Sequence, residues 1–389
     1  MKNKNELAAA LGLPPLPSCS AETIGALLWA REVLQNHQTT TYAVQDPKGI
    51  EDLKSIKIGG VEQWLHIRGR NRDNPILLYL HGGPGYPLIG WMEATMQPWE
   101  DYFTVVHWDQ RQTGKSYYSA NDETDPLTVN QFISDTEEVI QYLLGFLDQS
   151  KLFLLGHSWG SMLGMQMVER HPDWLYAYIG IGQIVSWMDN EKVLFDRLID
   201  HAKNKQETEL VAKLNTISPY PNPEKPGESF AKHSNFLRIE LSRLARETGT
   251  HHLPLNEAIA KNALSRLLNP FLTVSDLVNG IFGDQPACYR PPYHFADELM
   301  QMNLPDQIGS SFDVPIFFFS GRHDYQTPVT LSDAWFEKIK APYKELVHFE
   351  ESAHIVVREE PGKVLVNLVN KVLPFAQAKG PKSSVANHE

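Results

Sequence analysis

The fold turns on one stretch: Leu152-Phe153-Leu154-Leu155-Gly156-His157-Ser158-Trp159-Gly160-Ser161. Its first four residues are wholly apolar, as expected of a strand buried on both faces of a parallel sheet. After Ser161 the spacing changes, and Met162, Leu163, Met165, Met167 and Val168 follow a helical pattern. Ser158 therefore stands on a strand-to-helix turn. A nucleophilic serine suits that place. The flanking glycines relieve a crowded backbone, and the helix N-terminus steadies developing negative charge. A glycine-rich turn carrying a hydrogen-bonding serine would use the same letters, but the strand before and the helix after favour the nucleophile.

Working outward, residues 76–80 (ILLYL) form a second apolar run, followed at once by His81-Gly82-Gly83-Pro84-Gly85. Acyl transfer at a serine needs two backbone N–H donors aimed at the oxyanion. One comes from the residue after the nucleophile, the other from the loop after the third strand. Trp159 and Gly83 are the candidates. Residues 103–106 and 316–319 read as further buried strands, and 346–349 as a shorter one. Residues 55–58 and 61–67 read as a hairpin about Gly59-Gly60. Thr128 and Gln131 form a capping box ahead of Phe132, Val139, Ile140, Leu143 and Leu147 on one helical side. Pro328 and Pro361 stand at expected first helical positions. Strands alternating with helices predict an α/β architecture on a mostly parallel sheet.

The alternation lapses between residues 186 and 308. Helical patterns over 191–214, 229–247, 255–268 and 274–282 dominate there, interrupted by a Pro-rich loop at 218–227. This reads as a helical cap inserted over the carboxyl edge of the sheet, where open α/β sheets bind ligands. The expected organisation is a leader over 1–50 with one helix at 21–34, a core over 51–185 and 309–378, the cap over 186–308, and a disordered tail over 379–389.

Composition narrows the classes. A chain of 389 residues that is 42% apolar and 21% charged has ordinary globular balance and ample core. A net charge of −12 without a Lys/Arg run argues against nucleic acid or an acidic membrane as partner. No apolar run reaches the roughly 18 residues of a spanning helix. The two cysteines, Cys19 and Cys288, cannot build a disulfide framework, which fits a reducing compartment. Lys2 and Lys4 precede an apolar stretch, but Glu6, Gly12, Pro14, Pro15 and Pro17 break the helix a secretion signal needs. A cytoplasmic location is expected.

Serine needs a base, and the base needs a carboxylate to orient it. Asp324 lies in Ser320-Gly321-Arg322-His323-Asp324 after the 316–319 run, and His354 ends Glu351-Ser352-Ala353-His354 after the 346–349 run. The order serine, acid, histidine is that of hydrolases built on such a sheet. His81, His157, His323 and His348 are rivals, but none sits on a loop following the last predicted strand. Thr113-Gly114-Lys115-Ser116 imitates the end of a phosphate loop, yet Asp109 occupies the place of the required first glycine. No metal or cofactor motif is indicated.

Together, HGGPG at 81–85, Trp108-Asp109-Gln110-Arg111 followed by Gly114-Lys115-Ser116, GHSWGS at 156–161, GRHD at 321–324 and SAH at 352–354 resemble the proline iminopeptidase branch of the α/β-hydrolases. The resemblance spans about 50–185 and 310–376. It implies an α/β-hydrolase fold with a helical cap, a triad of Ser158, Asp324 and His354, and an oxyanion hole from Gly83 and Trp159. Two departures stand out: Gln112 replaces the usual glycine after the DQR motif, and His157 replaces the glycine common in the family elbow. Family peptidases hold the substrate amine with cap glutamates. Here Arg238-Ile239-Glu240 is similar to one such segment, but Leu241-Ser242-Arg243 replace the aromatic residues that follow it. Glu240 is the candidate amine anchor.

The expected function is cofactor-independent acyl transfer to water, first as an aminopeptidase on short peptides or aminoacyl amides. An esterase, lactonase or carbon–carbon bond hydrolase using the same residues is the alternative, and needs no amine-binding carboxylate in the cap. A non-catalytic binding protein is the remote third reading. The expected partner is a small-molecule or short-peptide substrate.

Overall fold

The computed structural model describes residues 21–90, 93–117, 127–247, 269–273, 276 and 292–377. Cys19, Cys288, the helix expected over 255–268, most of that over 274–282 and the C-terminal tail lie outside the described residues. The hairpin forms as the sequence predicts, somewhat longer: β1 (Ile50–Ile58) pairs antiparallel with β2 (Val61–Gly69). Gly59 and Gly60, at φ 53° and 85°, take the turn. The apolar runs become β3 (Ile76–Leu80), β4 (Thr104–Asp109) and β5 (Leu152–His157). They are followed by β6 (Leu175–Ile181), β7 (Ile316–Gly321) and β8 (Lys344–Phe349). One sheet results, in the order β1-β2-β4-β3-β5-β6-β7-β8, with every neighbour from β4 onward parallel. This is the α/β-hydrolase fold that the resemblance implied.

β6 is the strand that the apolar runs did not announce. Tyr176, Ala177, Tyr178 and Gly180 dilute its sequence, yet it is buried for nearly its whole length between β5 and β7. Alternation along the strands splits the core in two, because successive side chains face opposite sides. Leu78, Leu80, Val106, Leu154 and Phe318 face one layer of helices, while Tyr79, Val105, Leu155, Phe317 and Phe319 face the other.

The helices that matter for the site begin with α1 (Ala21–Tyr42), longer than the 21–34 expected. Next come α2 (Val129–Leu147), opened by Thr128 accepting from the Gln131 N–H at 3.1 Å, and α3 (Trp159–Arg170). Where one helix was expected over 191–214 there are two, α4 (Trp187–Asn204) and α5 (Thr208–Ile217). Gln206 breaks the run at φ 58°. They are followed by α6 (Pro226–Glu247), α7 (Tyr293–Met300) and α8 (Val329–Lys338). Helices α4, α5 and α6 share their own apolar cluster of Leu194, Leu198, Leu214, Leu237, Leu241 and Leu244. Among the described residues no helix is long and apolar enough to cross a membrane.

Candidate active site

Ser158 caps α3 with φ 54° and ψ −118°, a conformation that non-glycine residues avoid. Its N–H is held by the Ile181 carbonyl at 2.9 Å. The glycines of the elbow are there because the chains approach too closely for a side chain: a Cβ on Gly160 would overlap the Leu80 carbonyl, and one on Gly156 would lie 2.5 Å from the Gly160 oxygen. Strain at the serine is thus sustained by contacts among β3, β5 and α3.

Asp324 and His354 meet, with His354 Nδ1 2.8 Å from Asp324 Oδ2. Asp324 is only 3% exposed, and its loop satisfies it. Oδ1 accepts from the Gln326 and Thr327 N–H groups, each at 2.8 Å, and Oδ2 accepts from Thr327 Oγ1 at 2.5 Å. Burial alone would raise the Asp324 carboxyl; His354 and the Thr327 donors outweigh it and hold the acid below the usual carboxylate range. Thr327 was missed by the sequence reading. Its signal is a hydroxyl three residues after an aspartate, a spacing at which the side chains and backbone of a turn bond locally.

The pair lies beside the elbow. Gly182 follows Ile181, whose carbonyl anchors Ser158, and its Cα faces His354: a Cβ there would lie 3.1 Å from His354 Cε1 and 3.2 Å from Asp324 Oδ2. His157 bridges the remaining gap. Its ring lies 4.7 Å from the His354 ring, tilted by 40°, and Nε2–H donates to the His354 carbonyl at 2.9 Å. Burial, then the neighbouring His354 charge, push His157 down to about 3, so at neutral pH it is an uncharged donor. Of the rival histidines, His81 is buried and pushed down to about 4 by that burial. His348 pairs with Asp333.

The HGGPG loop closes the third side. A Cβ on Gly82 would lie 3.2 Å from Ser158 Cβ, and Gly83, at φ 117°, makes the turn beyond it. Gln110 ties this loop to the elbow. Its N–H donates to His81 Nε2 at 3.1 Å, its side-chain amide donates to the His81 carbonyl at 3.2 Å, and its Oε1 accepts from Trp159 Nε1 at 3.0 Å. The segments carrying Gly83 and Trp159 are therefore held together by one glutamine of the DQR motif. Arg111, the next residue, is fully buried in a fork with Asp135, at 2.6 and 2.8 Å. Gln112 takes φ 58°. The position does adopt the glycine-favoured conformation, at a strain of about 1–2 kcal/mol.

Cap helices meet this site directly. Trp187 of α4 and Phe295 of α7 pack edge-on to Trp159, and Asn190 of α4 donates to the Gln326 carbonyl at 3.0 Å. Glu240, on α6, is taken up by Arg243, whose Nε lies 2.9 Å away and whose other nitrogens hold Glu207. Arg238, two residues earlier, points elsewhere, since two residues on a helix are about 200° apart. It pairs with Glu191 of α4, a fully buried acid that also accepts from the Tyr220 hydroxyl at 2.7 Å. Neither Glu191 nor Arg238 was singled out from sequence as a site residue. Among the described residues no three His, Cys, Asp or Glu side chains gather as a metal site.

An imidazole fixed at Nδ1 by a buried carboxylate presents Nε2 as a base, and a strained serine with nearby backbone donors is the arrangement acyl transfer asks for. Known proteins agree with the fold and narrow the kinship. Residues 75–361 match the family model described as the alpha/beta hydrolase fold. A probable aminopeptidase of Bacillus subtilis (strain 168), YbaC, is 34% identical over 319 residues, covering 82% of this chain and 95% of its own. A probable proline iminopeptidase of Leptolyngbya boryana is 32% identical over 316 residues, covering 77% and 87%. The solved proline iminopeptidase of Mycobacterium smegmatis superposes with a TM-score of 0.55 at 19% identity, over 84% of this chain and 100% of the other. That last likeness speaks for the fold alone. The chain belongs to the α/β-hydrolase family and, within it, resembles the proline iminopeptidases.

Proposed function

We propose that this protein is a cofactor-independent serine hydrolase that works through an acyl-enzyme, with short peptides or aminoacyl amides as substrates. The observation that carries the reading is the buried Asp324–His354 pair set beside the strained Ser158. Ser158 Oγ attacks the carbonyl while His354 Nε2 takes its proton, and the Trp159 and Gly83 N–H groups receive the oxyanion. His354 then returns the proton to the leaving amine, and water hydrolyses the ester by the same route in reverse. Asp324 keeps the imidazole in the tautomer with Nδ1–H and stabilises its cation. The aminopeptidase preference rests on the two relatives of more than 30% identity, both named for such an activity.

A second reading has one observation in its favour. The glutamates described above are already engaged by arginines, Glu191 by Arg238, and Glu240 together with Glu207 by Arg243. A neutral ester or a carbon–carbon substrate requires no carboxylate there. The test is a kinetic panel of aminoacyl amides against N-blocked aryl esters, run beside fluorophosphonate labelling of wild type and Ser158→Ala. Labelling of Ser158 that disappears in the variant, with turnover of the free-amine amides, supports the peptidase. Turnover of blocked esters alone moves the assignment to an esterase, and labelling elsewhere overturns both.

A further inference from the structure

We infer that His157 is a positioning residue for the general base: its bond to the His354 carbonyl holds the imidazole at working distance from Ser158, so that losing it slows the chemical step and leaves substrate binding in place. His157 touches the base and is joined by a peptide bond to the nucleophile. Its Nε2 lies 2.9 Å from the His354 carbonyl oxygen. A carbonyl only accepts, so this bond itself fixes the proton on Nε2. The two rings lie 4.7 Å apart. Glycine, common at this place in the family elbow, makes neither contact.

The bond removes a freedom that Asp324 leaves. Asp324 holds the imidazole at Nδ1 alone, a single point about which the ring and its loop can still shift. Other contacts fix the chain ahead of the base: the Ser352 carbonyl accepts from the His323 N–H at 3.0 Å, and the Ala353 N–H donates to Glu359 at 2.7 Å. His157 takes the carbonyl of His354 itself and ties it to the end of β5, one residue from the serine. Nucleophile and base are thus spaced across one side chain rather than through the two long segments that join them in sequence. Rate is steep in such a spacing, and an error of about 1 Å can cost about 100-fold. His157 is buried, and burial followed by the His354 charge keeps it neutral. It therefore adds no repulsion when His354 takes up the serine proton.

The inference rests on the serine-hydrolase reading, and its test keeps the two apart. His157→Phe keeps a ring and removes the donor, His157→Gln keeps an N–H at about the reach of Nε2, and His157→Gly removes both. The full chain is assayed for kcat and KM on whichever of the aminoacyl amides or aryl esters the wild type turns over, and for the rate of fluorophosphonate labelling at Ser158. In the Phe and Gly variants kcat and kcat/KM should fall together by about 100-fold, with labelling slowed in parallel. The Gln variant should stay within about tenfold of wild type, the span of one ordinary hydrogen bond. Urea unfolding reports whether each variant folds, and if the Phe variant does not, the Gly and Gln variants carry the same comparison. Equal rates in the donor-bearing and donor-free variants, or a loss confined to KM, overturn the inference. Absence of Ser158 labelling in the wild type overturns the hydrolase reading, and this inference with it.

Discussion

Thr327→Val is the sharpest probe of how the acid at this site is held. The change preserves side-chain shape and removes one hydroxyl, which donates to Asp324 Oδ2 at 2.5 Å. A buried hydrogen bond to a charged group contributes about 1.5–3 kcal/mol. Asp324 is 3% exposed, so solvent cannot replace the lost donor. Three partners remain, the Gln326 and Thr327 N–H groups and His354 Nδ1, and the fold should survive. The direction of the pH dependence follows from the shift. Asp324 is held below its ordinary range, so its stabilisation is complete above the unfolded carboxyl value near about 4 and is lost as pH falls through the lower folded value. The wild-type advantage over the variant should be about 1.5–3 kcal/mol at neutral pH. Below about pH 4 it should shrink toward the roughly 0.5–1.5 kcal/mol of a neutral hydrogen bond. Urea unfolding of both proteins at a series of pH values measures this. An advantage that stays constant across that range, or one under about 0.5 kcal/mol at neutral pH, would show that Thr327 does not hold the charged form.

Two further substitutions test features the structure revealed. Arg111→Met strands the fully buried Asp135, and should cost about 3–5 kcal/mol in urea unfolding, with much of it recovered in Arg111→Met/Asp135→Asn. A loss below about 1 kcal/mol in the single variant would contradict a fork that pins the DQR loop to α2. Glu240→Gln should shift KM for aminoacyl amides and for N-blocked esters by the same factor, within about twofold, because its carboxylate is engaged by Arg243. A steep rise confined to free-amine substrates would restore Glu240 as the amine anchor.

What the sequence disclosed follows the range of the forces involved. The uninterrupted runs at 76–80, 152–155 and 316–319 became β3, β5 and β7, because a strand buried on both faces of a parallel sheet favours apolar residues throughout. The Ser158 turn was legible because close backbone approaches force glycine at fixed places beside the serine, at Gly156 against Gly160 and at Gly160 against Leu80. β6 escaped notice, since Gly180 lies where neighbouring side chains crowd in and leaves a gap in the pattern. The break between α4 and α5 is set by a left-handed Gln206, a residue type that carries no turn signal. Gln110 and His157 were visible as letters, but their partners, His81, Trp159 and the His354 carbonyl, come from distant segments. Such contacts leave no spacing in the chain.

The cap shows why a motif can be present while its chemistry turns away. Leu237, Leu241 and Leu244 lie at helical spacing on α6 and pack with Leu194, Leu198 and Leu214 of α4 and α5. That packing sets the rotation of α6 about its axis. Arg238 then reaches Glu191, and Glu240, about 200° around the helix, meets Arg243 and its partner Glu207. A segment similar to an amine-binding one thus presents its arginine to Glu191 of α4 and its glutamate to Arg243, which also holds Glu207. Rotating α6 to exchange them would pull three buried leucines out of their cluster, at about 1.5–3 kcal/mol each. No single charge pair on a partly exposed helix offsets that. In this protein, the apolar stripe of α6 decides which partner each of the two charges meets.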